Sequence, residues 1–591
     1  MRILGISCYF HDASAALLED GVLVAAAEEE RFTRKKHDYE FPRNAINFCL
    51  DQGGITGKDL DYVAFFEKPF VKYDRLLKTA LQGFPKTYGT FVQSMRTWMF
   101  DKLWIKSLIA KSVGIDPNRI LFSEHHLSHA ASAYFCSPFD EAAVLTFDGV
   151  GEWATTTMGF GHGNDLKISQ ELLFPHSIGL LYSAFTAFLG FEVNEGEYKV
   201  MGMAPYGSPR YVDKVWKVVS QNDDGSYWLD PKYFAFHHST KRSYSSKLIE
   251  LFGKPRDPDV PFFTLTSGYP SYYGPRPPNF NEKCRYNEHY ADIAASIQVV
   301  TEELILSLAR ELHRQTGSKR LCLAGGVALN SVANSRILRE TPFEELYIQP
   351  SAGDGGGSLG AALVVWHCAL GNSKRFVMDH AYWGQAYSTD DIRAALDQAG
   401  IKYVYVDDQC KLVDITVDRL MSGAVVGWSQ GRFEWGPRAL GHRSILADPR
   451  RAEMKDVVNT KIKFREPFRP FAPSVLVEAS EQYFDLPQPD RDMPARFMLL
   501  VVPVHEGKQD KIPAVSHMGT ARIQTVCSDT SPLYHQLIER FGEATGVPVI
   551  LNTSFNVRGE PIVNTPWDAL NTFGNSGIDT LVMGNFLVDK R

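Results

Sequence analysis

Three histidines stand within five residues at His125-His126-Leu127-Ser128-His129, and Ala130-Ala131-Ser132-Ala133, small residues suited to a helix, follow them. On a helix His125 and His129 lie one turn apart on one face, where both imidazoles reach a single ion. The pair alone also fits a buried hydrogen-bonded cluster. A carboxylate must complete a metal site, and Asp354 suits: in Gly353-Asp354-Gly355-Gly356-Gly357 it follows a strand-like run, and the glycines let backbone approach a ligand closely. Two histidines and one carboxylate with open positions form the set preferred by ferrous iron, and other divalent metals accept it.

Glycine-rich turns at helix starts bind anions through free N–H groups and the helix dipole. Two candidates are Ala324-Gly325-Gly326-Val327-Ala328-Leu329-Asn330 and the glycines after Asp354. Asp12 and Asp148 each stand just beyond the first strand of a β-rich run, and the whole reads as a nucleotide cleft between two duplicated lobes. Further on, guanidinium groups concentrate in residues 431–444, with Arg432, Arg438 and Arg443, and residues 463–473 follow with Lys463, Arg465 and Arg469. Arginine forks suit bidentate phosphate recognition, and the interleaved Pro and aromatic residues would hold them rigidly. Structural pairing with Asp448, Asp456 and Glu466 is the competing expectation. Asn552 and Ser554, at the end of a strand from Val547, could orient a small planar polar group.

The elements that must position these residues follow from patterning. Residues 2–8, 13–18 and 22–27 predict a three-stranded meander with a turn at Glu19-Asp20-Gly21, and 142–147, 153–160 and 166–173 predict a second one. Apolar residues at helical spacing predict a long core helix over 291–312. Alternating strands (320–323, 346–349), glycine turns and helices (from about 329, near 359) indicate α/β layers. Residues 371–375 read as a linker. Beyond them Ser388 can cap a helix with Asp391 in its first turn and Gly400 at its end, so a separate C-terminal domain is expected. Residues 205–285 read as loop-rich.

The chain has 591 residues, 44% hydrophobic and 22% charged, with net charge −7, which is ordinary for a globular protein and lacks the basic footprint of a nucleic-acid binder. No run reaches the roughly 18 apolar residues of a membrane span, and no secretory signal opens the sequence, so a soluble cytoplasmic protein is expected. Eight scattered cysteines without a CxxC pair suggest reduced thiols rather than a disulfide framework or thiolate zinc site.

Together these residues resemble the NodU/CmcH/TobZ family of O-carbamoyltransferases along essentially the whole chain. The motifs are residues 10–16 (Phe-His-Asp-Ala-Ser-Ala-Ala), 28–32 (Glu-Glu-Glu-Arg-Phe), 125–130, 199–207 (Lys-Val-Met-Gly-Met-Ala-Pro-Tyr-Gly), 325–330 and 436–448. The resemblance implies an N-terminal duplicated actin-like ATPase fold of the TsaD type, residues 1–370, and a C-terminal YrdC-like α/β domain, residues 380–591. It implies that His125, His129 and Asp354 hold Fe2+ or another divalent metal, with Asp148, Lys199, Gly325, Gly326 and Asn330 on the adenylate. Arg438, Lys463, Arg469, Arg522, Asn552 and Ser554 would bind carbamoyl phosphate and ATP, the latter with Mg2+. The implied reaction makes carbamoyladenylate and passes the carbamoyl group to a hydroxyl of a small molecule, with Asp12 and His11 beside it and His11 as base. Aminoglycoside, macrolide, guanidinium alkaloid, lipo-oligosaccharide and cephem hydroxyls are all candidate acceptors, and a homodimer is compatible. Three rival expectations are a tRNA threonylcarbamoylating enzyme, a non-catalytic ATP-gated actin-fold module and a sugar kinase.

Overall fold

A computed structural model describes residues 1–100, 102–486, 488 and 491–590, with the backbone alone for 96, 97, 99 and 100. Contacts divide the chain into two units, the first comprising Met1–Glu29, Tyr39–Ser267 and Pro277–Val377, the second Glu30–Asp38, Gly268–Arg276 and Met378–Arg591. The longest segment of the second unit begins at Met378.

The first unit is built on a repeated sheet. β1 (Arg2–Ser7), β2 (Ser14–Glu19) and β3 (Val22–Glu28) form an antiparallel meander, and β4 (Tyr62–Phe65) and β5 (Ile120–Phe122) join β1 in parallel, giving the order β3-β2-β1-β4-β5. In the second copy β6 (Glu141–Phe147), β7 (Ala154–His162) and β8 (Asp165–Leu173) make the meander. Past a small hairpin of β9 (Val219–Gln221) and β10 (Tyr227–Leu229), β11 (Arg320–Ala324) and β12 (Glu345–Ile348) join β6 in parallel, giving β12-β11-β6-β7-β8. The same strand order and directions thus occur twice, which is the duplicated arrangement of the actin-like ATPase fold. The central strands are Ala-, Ile- and Leu-rich and buried along nearly their whole length, as strands covered on both faces must be.

Two close approaches position the functional loops. A Cβ on Gly360, in the helix Gly357–Leu363, would lie 1.8 Å from the carbonyl oxygen of Ser128 in the helix His125–Tyr134, and one on Gly5 of β1 would lie 1.8 Å from that of Ser358. Only glycine permits this packing, and it draws the turn that carries Asp354 onto the histidine helix. The core helix runs over Phe280–Thr316, eleven residues further toward the N-terminus than its apolar period indicates. That extension is polar in sequence but anchored: Asn287 donates to the Phe263 carbonyl (2.8 Å), and Cys284 and Tyr290 are buried. Gly317, at φ +64°, ends the helix in a left-handed cap.

The second unit carries an eight-stranded mixed sheet, made of β13 (Val404–Tyr405), β14 (Val426–Ser429), β15 (Arg443–Ala447), β16 (Ala472–Leu476), β19 (Gln524–Val526), β20 (Val549–Ser554), β21 (Thr580–Met583) and β22 (Phe586–Asp589). Its order is β13-β22-β21-β14-β15-β20-β16-β19, and β17 (Val501–Pro503) and β18 (Thr520–Arg522) form a separate ribbon. Ser388 and Asp391 form the expected capping box at the helix Thr389–Gln398. Up to the start of the core helix at Phe280, the 205–285 region holds short elements, chiefly the β9–β10 hairpin and the helix Ser246–Phe252. No helix among the described residues is long and apolar enough to cross a membrane.

Candidate active site

The i, i+4 geometry puts His125 and His129 on one face of the helix His125–Tyr134, with Nε2 atoms 3.0 Å apart. Asp354 enters from its glycine turn, Oδ1 lying 3.6 Å from His125 Nε2 and 3.4 Å from His129 Nε2. A second carboxylate joins them: Asp148 Oδ2 lies 3.1 Å from His125 Nε2 and 3.5 Å from His129 Nε2. Sequence reading gave Asp148 to the nucleotide alone, and a carboxylate just beyond a strand looks the same in either role. Its other oxygen, Oδ1, accepts the Gly326 N–H at 3.2 Å, so the glycine loop is tied directly to this centre. Gly325 takes φ +93°, and a Cβ there would sit 2.2 Å from the Phe147 carbonyl oxygen, which is why the loop must be glycine.

The donor set fits a divalent metal. Four donors about 2.1 Å from one ion stand about 3.0 Å apart in cis octahedral positions and about 3.4 Å apart in a tetrahedron, and the histidine nitrogens lie 3.0 to 3.6 Å from each other and from the carboxylate oxygens. Two imidazoles and two carboxylates suit Fe, Mn or Zn. All four residues are buried, and Asp354 Oδ2 has no hydrogen-bond partner, as a group awaiting a ligand would not. Without an ion a proton must separate the facing nitrogens: burial disfavours the charged ring of His129, but hydrogen bonds to Asp148 and Asp354 outweigh it and raise its pKa to about 9. His126 points elsewhere, its Nδ1 2.6 Å from Thr146 Oγ1, and burial holds its pKa well below the usual range. Glu152, which sequence reading missed, fixes the start of the helix by accepting the His125 N–H at 3.1 Å and the Lys68 N–H at 2.7 Å. Its signal is the Asp148-Gly149-Val150-Gly151-Glu152 spacing, in which Gly151 lies against both His125 and His126.

The remaining predicted residues of this unit are placed differently. His11 Nδ1 is 2.6 Å from Asp12 Oδ2 and its Nε2 is 3.1 Å from the Asn194 carbonyl. Burial works against protonation, yet Asp12 raises the His11 pKa to about 10. Lys199 lies on the helix Glu197–Met203 with its ammonium 5.6 Å from the Phe191 ring centroid. Asn330 is a helix cap: its Oδ1 accepts from Ala333 N–H at 3.2 Å and its amide pairs with Gln298. One expected outcome follows for His11: in ¹⁵N-histidine NMR titrations it should stay protonated to about pH 9 in the wild type, whereas Asp12→Asn should move its titration toward the ordinary value near 6.5. A wild-type His11 titrating near 6.5 would contradict the pairing.

In the second unit β20 carries Asn552 and Ser554 on one face of the sheet. Lys463, buried, reaches the Ser554 carbonyl (2.6 Å), the Asn556 Oδ1 (2.8 Å) and the Asn556 carbonyl (2.9 Å). None of its partners is a carboxylate. Burial, with repulsion from Arg465, Arg469 and Lys36, pushes its pKa well below the lysine range. Arg469 is 3.5 Å from Glu466. Asn552 donates to Gln524 Oε1 (2.9 Å), Ser474 Oγ (3.1 Å) and the Ala439 carbonyl (3.2 Å), next to Arg438, while its own Oδ1 has no partner. Arg522 ends β18, two residues before Gln524. Other arginines of the run are structural. Arg443 donates to the carbonyls of Gln430 and Gly431, Arg432 to those of Gly384 and Trp383, and Arg450 pairs with Asp448. Glu434 fixes the intervening loop by accepting the N–H groups of Leu440, His442 and Arg443.

Comparison with known proteins identifies the family. Residues 2–363 match the family model described as carbamoyltransferase N-terminus, and residues 417–590 match carbamoyltransferase C-terminus. An uncharacterized protein of Synechocystis sp. is 45% identical over 100% of this chain and 97% of its own length. Nodulation protein NolNO of Sinorhizobium fredii is 37% identical over 99% of this chain and 79% of its own. HypF of T. kodakarensis shows a weak likeness, with 16% identity and a TM-score of 0.32 over 63% of this chain and 48% of that one, so the fold assignment stands on the repeated strand order. Both family models occur in order along one chain, one spanning the buried histidine–carboxylate centre and the other the Lys463 site, and this protein therefore belongs to the carbamoyltransferase family.

Proposed function

We propose that this carbamoyltransferase makes carbamoyladenylate from carbamoyl phosphate and ATP in its second unit and delivers the carbamoyl group to a small-molecule hydroxyl in its first. The observation that carries the reading is Lys463, a buried ammonium with neutral oxygen partners among further cations. Such a group is costly unless an anion completes it. Carbamoyl phosphate and MgATP supply that anion. In the first step water releases phosphate from carbamoyl phosphate, and the resulting carbamate oxygen attacks the α-phosphorus of ATP, expelling pyrophosphate. Lys463, Arg438, Arg469 and Arg522 would hold the charge, and Asn552 and Ser554 would orient the planar carbamoyl group.

In the second step the acceptor oxygen attacks the carbamoyl carbon, its proton passes to the departing phosphate, and AMP leaves. Gly325, Gly326, Lys199 and Asn330 would bind the adenylate, and Asp148 would link that loop to the centre. A divalent ion held by His125, His129, Asp148 and Asp354 would polarise the group being transferred. The high pKa of His11 suits an imidazolium that neutralises the departing phosphate better than the base expected from sequence, with Asp12 keeping it protonated.

Product analysis tests the reading. Pyrophosphate and AMP should appear when carbamoyl phosphate accompanies ATP and an acceptor. ADP as the product, or pyrophosphate release driven by threonine and bicarbonate, would overturn it.

A further inference from the structure

The helix Pro69–Gln82 of the first unit is inside out. Its buried residues are Pro69, Lys72 and Arg75, at i, i+3 and i+6, while Phe70 and Leu81 on the outer side are 74% and 76% exposed. Burying two cations and exposing large apolar groups runs against both the hydrophobic effect and the cost of desolvating charge. An inward cationic stripe therefore calls for a partner.

The described residues supply little. Lys72 pairs with buried Glu67, and its ammonium lies 4.2 Å from the Phe10 ring centroid. The oxygens of Glu152, the other nearby carboxylate, are taken by the backbone N–H groups of Lys68 and His125. Arg75 is 94% buried with its guanidinium 5.2 Å from the Phe174 ring centroid, yet among the described residues it makes no hydrogen bond or ion pair, and its Nε is fully enclosed. A guanidinium lying against an aromatic face presents its N–H edge to a planar or tetrahedral oxyanion.

The place of this cluster in the first unit is specific. Phe10, whose ring lies 4.2 Å from the Lys72 ammonium, packs edge-on against His125 at 6.4 Å, so it links the cations to the histidine–carboxylate centre. The Gly326 amide approaches the same centre through Asp148 instead. We propose that Lys72 and Arg75 form a subsite for an anionic group, carboxylate, phosphate or sulfate, carried by the acceptor whose hydroxyl is carbamoylated. This rests on the proposed hydroxyl transfer and narrows its acceptors to acids.

Inorganic sulfate is the probe, read as the shift in thermal unfolding at constant ionic strength against chloride. The background is full-length Lys463→Ala protein, so that the second unit's anion site is weakened. Sulfate should raise Tm in this background, and adding Arg75→Gln should abolish the rise. In chloride alone Arg75→Gln should be at least as stable as its parent, because it removes an uncompensated buried charge. Arg75→Lys, which keeps the charge, should retain part of the sulfate response. An unchanged response in Arg75→Gln, or a Tm several degrees lower in chloride, would make Arg75 a structural residue and overturn the proposal. Saturating AMP should leave the sulfate-dependent rise in place, whereas competition would assign the cations to the donor phosphate and overturn the acceptor assignment. None of these readouts requires turnover, so they can fail while pyrophosphate and AMP are still formed, or succeed when they are not.

Discussion

Lys463→Ala should stop carbamoyladenylate synthesis while leaving transfer from supplied carbamoyladenylate intact. The ammonium is buried beside Ser554 and Asn556, and its pKa is held down by burial and by Arg465 and Arg469, so in the free protein it is a destabilised charge. On the proposed reading an incoming phosphate would relieve that destabilisation, and the gain would be realised as charge moves from carbamoyl phosphate to ATP. Losing one such fixed contact costs about 2.7–4 kcal/mol in other active sites, or roughly 10²- to 10³-fold in rate. The measurement is pyrophosphate release with carbamoyl phosphate and ATP, followed by transfer of radiolabel from synthetic carbamoyladenylate. Lys463→Arg should not rescue fully, because the planar guanidinium cannot direct donors at both the Ser554 carbonyl and Asn556 from within the same enclosure. A Lys463→Ala protein that releases pyrophosphate at the wild-type rate would remove the second unit from the activation step.

The chemistry of the first unit was more legible than its architecture. Both meanders are visible as β-rich runs broken by turns, because antiparallel neighbours are adjacent in sequence. The parallel partners β4, β5, β11 and β12 are short and arrive after long insertions, so the repeated order that defines the fold depends on pairings far apart in the chain. His125 and His129 were legible because i, i+4 spacing fixes a shared face. Asp354 was legible from its glycines, but the reason it reaches the histidines is the Gly360–Ser128 helix contact, which no local pattern encodes. Asp148 was read as a phosphate-loop acid and proves to touch both the Gly326 amide and the imidazoles.

Arginines were the hardest to sort. Arg443 and Lys463 look alike in sequence as cations among Pro and aromatic residues. The difference is that the partners of Arg443 are main-chain carbonyls that saturate its fork, whereas those of Lys463 leave a positive site without a carboxylate. Carbonyl acceptors carry no sequence signature, so only the fold separates the saturated fork of Arg443 from the carboxylate-free site of Lys463. The helix Pro69–Gln82 is the same lesson with opposite sign, since its apolar residues would be expected to face the core and face outward instead.

His129→Ala should give the reverse of Lys463→Ala: pyrophosphate is still released from carbamoyl phosphate and ATP, but the carbamoyl group does not reach an alcohol from either donor. His129 Nε2 lies within 3.6 Å of His125 Nε2, Asp148 and Asp354, so its removal takes one of four converging donors from a buried site. Loss of an outer-shell partner alone weakens metal affinity by roughly 10- to 100-fold, and a direct donor should cost more. Protein prepared anaerobically without chelators should contain about one divalent ion per chain, as expected of a single two-His, carboxylate-ligated site, and His129→Ala should contain almost none. The fold should survive, because the small-residue contact between Ser128 and Gly360 that holds the helix does not involve the imidazole. Asp148→Asn separates the two carboxylates: it should lower metal content and also loosen the Gly326 loop, so adenylate binding weakens with it, whereas Asp354→Asn should affect the metal alone. If metal content in His129→Ala matches the wild type, these residues are a hydrogen-bonded cluster and not a metal centre. If His129→Ala and Lys463→Ala fail equally with both donors, activation and delivery share one composite site and the division of labour is wrong.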